Sequence, residues 1–140
     1  DLIKLHCQIL IAEDNPDHAE LIRETIHDSE PDIVICIKSN GEEALKHLYD
    51  LQKQGGQLPD LMLIDIKMPR MNGMETLAAI KQDPDLRHIP VIILSTSTNE
   101  AEMRICLKSG AAAYLAKPLE PQEFDTLVRP WLEETQHLPG

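Results

Sequence analysis

Five short apolar runs, four of them followed closely by a polar residue of a particular kind, restrict this chain more than any other feature. They are Ile9-Leu10-Ile11-Ala12, Ile33-Val34-Ile35-Cys36-Ile37, Leu61-Met62-Leu63-Ile64, Val91-Ile92-Ile93-Leu94 and Ala111-Ala112-Ala113-Tyr114-Leu115. The first four lack polar alternation. They read as strands apolar on both faces, the pattern of a parallel sheet held between helix layers. The fifth is rich in alanine and reads as the weakest strand.

Helical patterns fill the intervals. Asn15-Pro16 places an N-cap before a proline at the first helical position, and Ala19, Ile22 and Ile26 recur at helical spacing. Asn40 and Glu43 resemble a capping box ahead of Ala44, Leu45, Leu48 and Leu51, and Gly55-Gly56 ends that helix. A third helix carries Met74, Leu77 and Ile80 and stops before Pro84. Ser97 and Glu100 read as a further capping box before Met103, Cys106 and Leu107, with Gly110 just past the end. The last helix carries Phe124, Leu127, Val128, Trp131 and Leu132. Strand and helix thus alternate five times, which predicts an α/β fold: an open parallel sheet with right-handed crossovers and helices on both faces.

The chain has 140 residues, the size of one domain. The expected core runs from about 8 to 134, with a short N-terminal extension and a C-terminal tail from about Gln136. A net charge of −11 opposes direct binding to nucleic acid or to anionic lipid. No apolar stretch reaches the ~20 residues that span a bilayer. The cysteines are Cys7, Cys36 and Cys106, widely spaced and without a Cys-x-x-Cys pair. Free thiols in a reducing compartment, the cytoplasm, are expected, and a structural zinc site is not.

The residues that follow the strands carry the chemistry. Glu13-Asp14 follows the first, Asp65 ends the third, Ser95-Thr96 follows the fourth, and Lys117-Pro118 comes just after the fifth. In a parallel sheet these positions share one edge, where open α/β sheets bind ligands. Alone, each has a plain reading: capping acids, a solubilising aspartate, a turn pair, a surface lysine. Their joint appearance at one end of successive strands is what singles them out. Clustered carboxylates repel, and a hard divalent cation relieves the repulsion. An oxygen-only ligand set points to Mg²⁺. A carboxylate can also act as a nucleophile toward phosphorus, with Asp65 on a central strand as the candidate.

The stretches Ile11-Ala12-Glu13-Asp14-Asn15-Pro16, Leu63-Ile64-Asp65-Ile66-Lys67-Met68-Pro69, Met71-Asn72-Gly73, Ile93-Leu94-Ser95-Thr96 and Ala116-Lys117-Pro118 resemble those of the receiver domain of two-component response regulators. The resemblance runs from about Gln8 to Glu134. Asn15-Pro16, the stretch from Asp83 to Pro90, and Ser95-Thr96-Ser97 look most like single-domain regulators paired with bacterial phytochromes.

The resemblance implies a doubly wound, flavodoxin-like (βα)5 sandwich with strand order 2-1-3-4-5. It implies that Asp65 is the phosphoacceptor and that Mg²⁺ is held by Asp14, by Glu13 through water, by Asp65 and by the backbone carbonyl of Lys67. Ser95 and Lys117 would meet the phosphoryl group, and Tyr114 would be the aromatic switch partner of Ser95. Lys67 and Thr96 would tune phosphoryl lifetime. Pro118 matches a proline that is usually cis.

The implied donor is a histidine kinase or phosphotransfer protein, and the implied output is protein–protein contact through the face of the fourth helix, fifth strand and fifth helix. Homodimerisation through that face is one form of it, and Ala101 and Ile105 are its candidate apolar points. No DNA-binding output domain is expected in this chain.

Such a protein is a switch that assists its own phosphorylation and dephosphorylation rather than a turnover enzyme. Three other readings compete. A pseudo-receiver would lack the acceptor or the lysine. A haloacid-dehalogenase-type hydrolase wants an aspartate where Lys67 stands. A flavodoxin-type cofactor carrier wants a hydroxyl- and glycine-rich phosphate loop where Glu13-Asp14 stands.

Overall fold

The computed structural model describes residues 7–97 and 99–136. The expected N-terminal extension and C-terminal tail fall almost wholly outside the described residues. Five parallel strands form one sheet: β1 (Ile9–Ala12), β2 (Ile35–Lys38), β3 (Leu61–Asp65), β4 (Val91–Ser95) and β5 (Ala113–Ala116), in spatial order 2-1-3-4-5. Between them run α1 (Pro16–Ser29), α2 (Gly41–Gln54), α3 (Gly73–Gln82) and α4 (Glu100–Lys108). A last helical segment comprises α5 (Pro121–Glu123), a π-helical turn (Phe124–Val128) and α6 (Arg129–Gln136).

The three central strands supply both faces of the core by simple alternation. Leu10, Ala12, Met62, Ile64, Val91 and Ile93 point to one side, where they join residues of α2, α3 and α4. Ile9, Ile11, Leu61, Leu63, Ile92 and Leu94 point to the other, against Ile22 and Ile26 of α1 and Phe124 and Val128 of the last segment. Every one of these strand side chains is at most 1% exposed. Full burial of such a side chain contributes about 1.5–3 kcal/mol, so continuous apolar runs here buy two cores from one sheet.

The second run departs from expectation. β2 is only half buried and begins at Ile35, because it is an edge strand and one side lacks a neighbour. Asn99, not Ser97, caps α4: its side chain accepts from the N–H groups of Ala101 and Glu102. Ser97 instead accepts from the Asn99 N–H at 3.1 Å. Asn72 forms a full capping box with Glu75 that the apolar spacing did not announce.

The last helix is not regular, and Pro130 supplies the reason. Proline cannot donate to the carbonyl four residues back, and its ring crowds that carbonyl. The chain accommodates this with the wider turn just ahead of it. Leu127, expected on the buried stripe, is 45% exposed as a result, while Phe124, Val128 and Leu132 stay buried.

Candidate functional site

Register brings the polar strand ends together. Ala12 pairs with Ile64, so Glu13 and Asp65 sit side by side just past them. Asp65 in turn pairs with Leu94, and Ser95 with Ala116, the residue before Lys117. Carboxylate oxygens of Glu13, Asp14 and Asp65 lie within 4.8 Å of one another. Glu13 is 3% and Asp65 7% exposed, while Asp14 lies open to solvent. Asp14 and Lys67 line one shallow depression of about 460 Å³, which also touches Met68, Pro69 and Asn72.

Lys117 is wedged among the acids. Its ammonium pairs closely with Glu13 Oε1 and lies 3.3 Å from Asp65 Oδ1. The Lys117–Pro118 peptide is cis. The Lys117 N–H donates to the Ser95 carbonyl at 2.8 Å, fixing the backbone beside β4. His18 Nδ1, from the first turn of α1, lies 3.0 Å from Lys117 Nζ. Glu13 Oε2 accepts the Asn15 N–H at 3.1 Å. Burial nevertheless pushes the Glu13 carboxyl above the ordinary range, against the opposing pull of Lys117.

The backbone beneath Asp65 needs a residue without a side chain. A Cβ on Gly73 would stand 2.5 Å from the Asp65 carbonyl oxygen and 2.8 Å from Ile66 Cα. The Gly73 N–H also donates to the Ile66 carbonyl at 2.9 Å, closing the loop after β3 against the strand end.

Ser95 is fully buried, but its hydroxyl does not point at the acids. It donates to Glu102 Oε1 of α4 at 3.1 Å and accepts the Ser97 N–H at 3.0 Å. Tyr114 on β5 also donates to Glu102 Oε1, at 2.5 Å, and lies 3.0 Å from the Ser97 carbonyl. Burial first, and then the Glu102 carboxylate, push the Tyr114 phenol up. Thr96 and Lys67 are exposed. Ala101 and Ile105, the latter 57% exposed, face outward on α4.

Two residues of this arrangement escaped the sequence reading. They are Glu102, in the first turn of α4, and His18, in the first turn of α1. Neither carries a motif, since each is defined only by what the fold sets against it.

The donor set suits a hard divalent cation. All three converging groups are carboxylates, and no sulfur or imidazole ligand stands among them. With Lys117 in place, the formal charge of the cluster is two negative, which one divalent cation balances. Glu13 Oε1 is buried with no hydrogen bond beyond its ion pair with Lys117, so a lone pair remains to be satisfied.

Comparison with known proteins gives a consistent result. A family model described as "Response regulator receiver domain" matches residues 9–129. The response regulator Rcp1 of Synechocystis is 34% identical over 133 residues, covering 89% of this chain and 88% of its own. A structure of Rcp1 in a Mn²⁺-bound form aligns with a TM-score of 0.67 at 30% identity, over 91% of this chain and 88% of that one. The phosphorylated cyanobacterial phytochrome response regulator RcpA aligns with a TM-score of 0.76 at 30% identity, over 96% and 97%.

Proposed function

The chain belongs to the response regulator receiver domain family of two-component signalling, and from that premise we propose that it is a phosphoryl switch in which Asp65 accepts the phosphoryl group. The observation that carries this reading is the packing of Asp65 against two further acids and the Lys117 ammonium at one sheet edge. The Mn²⁺-bound Rcp1 and the phosphorylated RcpA lend support as relatives of like fold.

A histidine kinase or phosphotransfer protein presents phosphohistidine. An Asp65 carboxylate oxygen attacks phosphorus, the P–N bond breaks, and its electron pair returns to the imidazole, which takes up a proton. The product is an aspartyl phosphate, later hydrolysed by water. Glu13, Asp14, Asp65 and the Lys67 carbonyl would hold Mg²⁺, which supplies charge neutralisation at the phosphoryl oxygens when bound.

Lys117 exchanges part of its contact with Glu13 for the phosphoryl oxygens. The Ser95 hydroxyl leaves Glu102 to donate to the same group, and Tyr114 moves into the space released. This shifts the population of the α4–β5–α5 face, where Ile105 and Leu107 are exposed, toward a state that a downstream protein or a second copy recognises. Lys67 and Thr96, exposed beside the site, set how readily water reaches the acyl phosphate. The chain acts as one receiver unit with its core at about 8–134, in the cytoplasm where such donors work, and turns over no separate substrate. No described helix is long and apolar enough to cross a membrane.

The test is incubation with Mg²⁺ and acetyl phosphate, or with beryllofluoride. The expected result is a mass gain of one acid-labile phosphoryl group, or a beryllofluoride-induced change in amide spectra. Asp65→Asn is expected to keep the fold and lose the modification. An unmodified wild-type protein with unchanged spectra would overturn the reading.

A further inference from the structure

On the face of the sheet covered by α2, away from the acidic edge, three soft donors meet. Cys7 lies two residues before β1, Cys36 lies on β2 and His47 lies on α2. The pairing of Leu10 with Cys36 sets β1 and β2 side by side, with Cys7 on the chain that leads into β1. Both sulfurs and one imidazole nitrogen lie within 4.8 Å of one another. All three cysteines of the chain are free thiols, so this pair is not consumed by a disulfide.

A second observation concerns the same histidine. His47 Nε2 is buried and has no hydrogen-bond partner among the described residues. An unsatisfied buried nitrogen is costly, and native folds seldom leave one without a reason. Cys7 Sγ donates weakly to the Ile9 carbonyl at 3.2 Å and also interacts with the Cys36 thiol.

We propose that Cys7, Cys36 and His47 form a binding site for one thiophilic divalent cation of the zinc class, with water as the fourth ligand. Two thiolates and a neutral imidazole balance the charge of Zn²⁺, so the complex can be buried without leaving net charge behind. Sulfurs bound tetrahedrally to one zinc stand about 3.8 Å apart, given a Zn–S length of about 2.3 Å. Closing to that separation is within the reach of side-chain rotation.

Binding releases the two thiol protons to solvent. Burial first, and then the adjacent Cys36, push the Cys7 thiol up, and the Lys38 charge opposes this only in part. At His47 burial and then Lys38 both favour the neutral ring that a metal needs. A depression of about 240 Å³ lined by Lys38, Glu43, Lys46, His47 and Asp50 opens beside the histidine.

The experiment uses the full chain, reduced, in saturating Mg²⁺ so that the carboxylate cluster is engaged. Co²⁺ is titrated as a spectroscopic probe, followed by Zn²⁺. Thiolate-to-cobalt charge-transfer absorption saturating at one equivalent and displaced by Zn²⁺ is expected. Cys36→Ser and His47→Gln should each weaken Zn²⁺ binding at least ~10-fold, the lower end of the loss seen when even an outer ligand contact is removed. Zn²⁺ should raise the melting temperature of the wild type and not of Cys36→Ser. Absence of the charge-transfer band, or equal Zn²⁺ affinity in wild type and both variants, would overturn the proposal. So would a Cys7–Cys36 disulfide forming in air while no metal binds.

Discussion

Tyr114 and Glu102 share a hydrogen bond of 2.5 Å, and the oxygen that accepts it also accepts the Ser95 hydroxyl at 3.1 Å. One carboxylate oxygen thereby joins the C-terminal end of β4, the middle of β5 and the first turn of α4. Ser95 and Tyr114 are coupled through a shared acceptor. When either donor leaves, the other becomes the sole tenant of Glu102 Oε1.

Alkaline titration reads this coupling directly. The Tyr114 phenol is raised above its ordinary value of about 10, so folding favours the neutral form. The associated stability is complete below pH ~10 and is lost as pH climbs through the higher folded value. Ultraviolet phenolate absorbance should show a late-titrating component that disappears in Tyr114→Phe. In Glu102→Gln it should move down, because a negative charge and a charged acceptor are both removed. An unmoved component in Glu102→Gln would assign the shift to burial alone.

Lys117→Met tests the buried ion cluster. The side chains alone of Lys117, Glu13 and Asp65 are 8%, 1% and 9% exposed. Removing one member leaves buried carboxylates uncompensated, at a cost of about 3–5 kcal/mol. Urea denaturation without divalent ions should show that loss. Adding Asp65→Asn to Lys117→Met should return part of it, since one of the stranded charges is gone.

Magnesium should stabilise the protein by mass action. Saturation to about 100 times the dissociation constant is worth about 2.7 kcal/mol. Thermal melts in rising Mg²⁺ concentration should show the gain for wild type and a much smaller one for Asp14→Asn. Because Asp14 is exposed, that variant should lie within about 0.5 kcal/mol of wild type when no divalent ion is present. A full Mg²⁺ response in Asp14→Asn would remove Asp14 from the ligand set.

Gly73→Ala should damage the site from below. The added methyl meets the backbone of Asp65 and Ile66, which cannot rotate aside. Overpacking of this kind costs about 1–3 kcal/mol. Phosphorylation by acetyl phosphate should also slow, while Gly56→Ala, whose Cβ meets the end of the Leu51 side chain, should leave that rate unchanged.

Much of this was legible before the fold was known, and the reason is topological. Strand ends in a parallel sheet fall on one edge, so Glu13, Asp14, Asp65, Ser95 and Lys117 were placed near one another by strand order alone. Helix caps were less legible: Ser97 and Asn99 are both good caps, and only the path of the loop decides for Asn99. The π-helical turn follows from Pro130, a local signal that the apolar stripe of the last helix masked. The meeting of Cys7, Cys36 and His47 was invisible because metal-site reading from sequence relies on short ligand spacings. Here the donors arrive from a strand lead-in, an edge strand and a helix, and only the packing of those three segments brings them together. Glu102 had no signal at all, since its importance lies in two donors from other elements.

The wedged position of Lys117 has a consequence for every affinity that this crevice will display. An ammonium carried on the chain cannot be diluted, and its effective concentration at Glu13 is set by tether length rather than by solution conditions. Anything that draws Glu13 away must therefore exchange with a resident rival. An apparent dissociation constant at this edge is an exchange constant, and a change in it reports on the rival as much as on the newcomer.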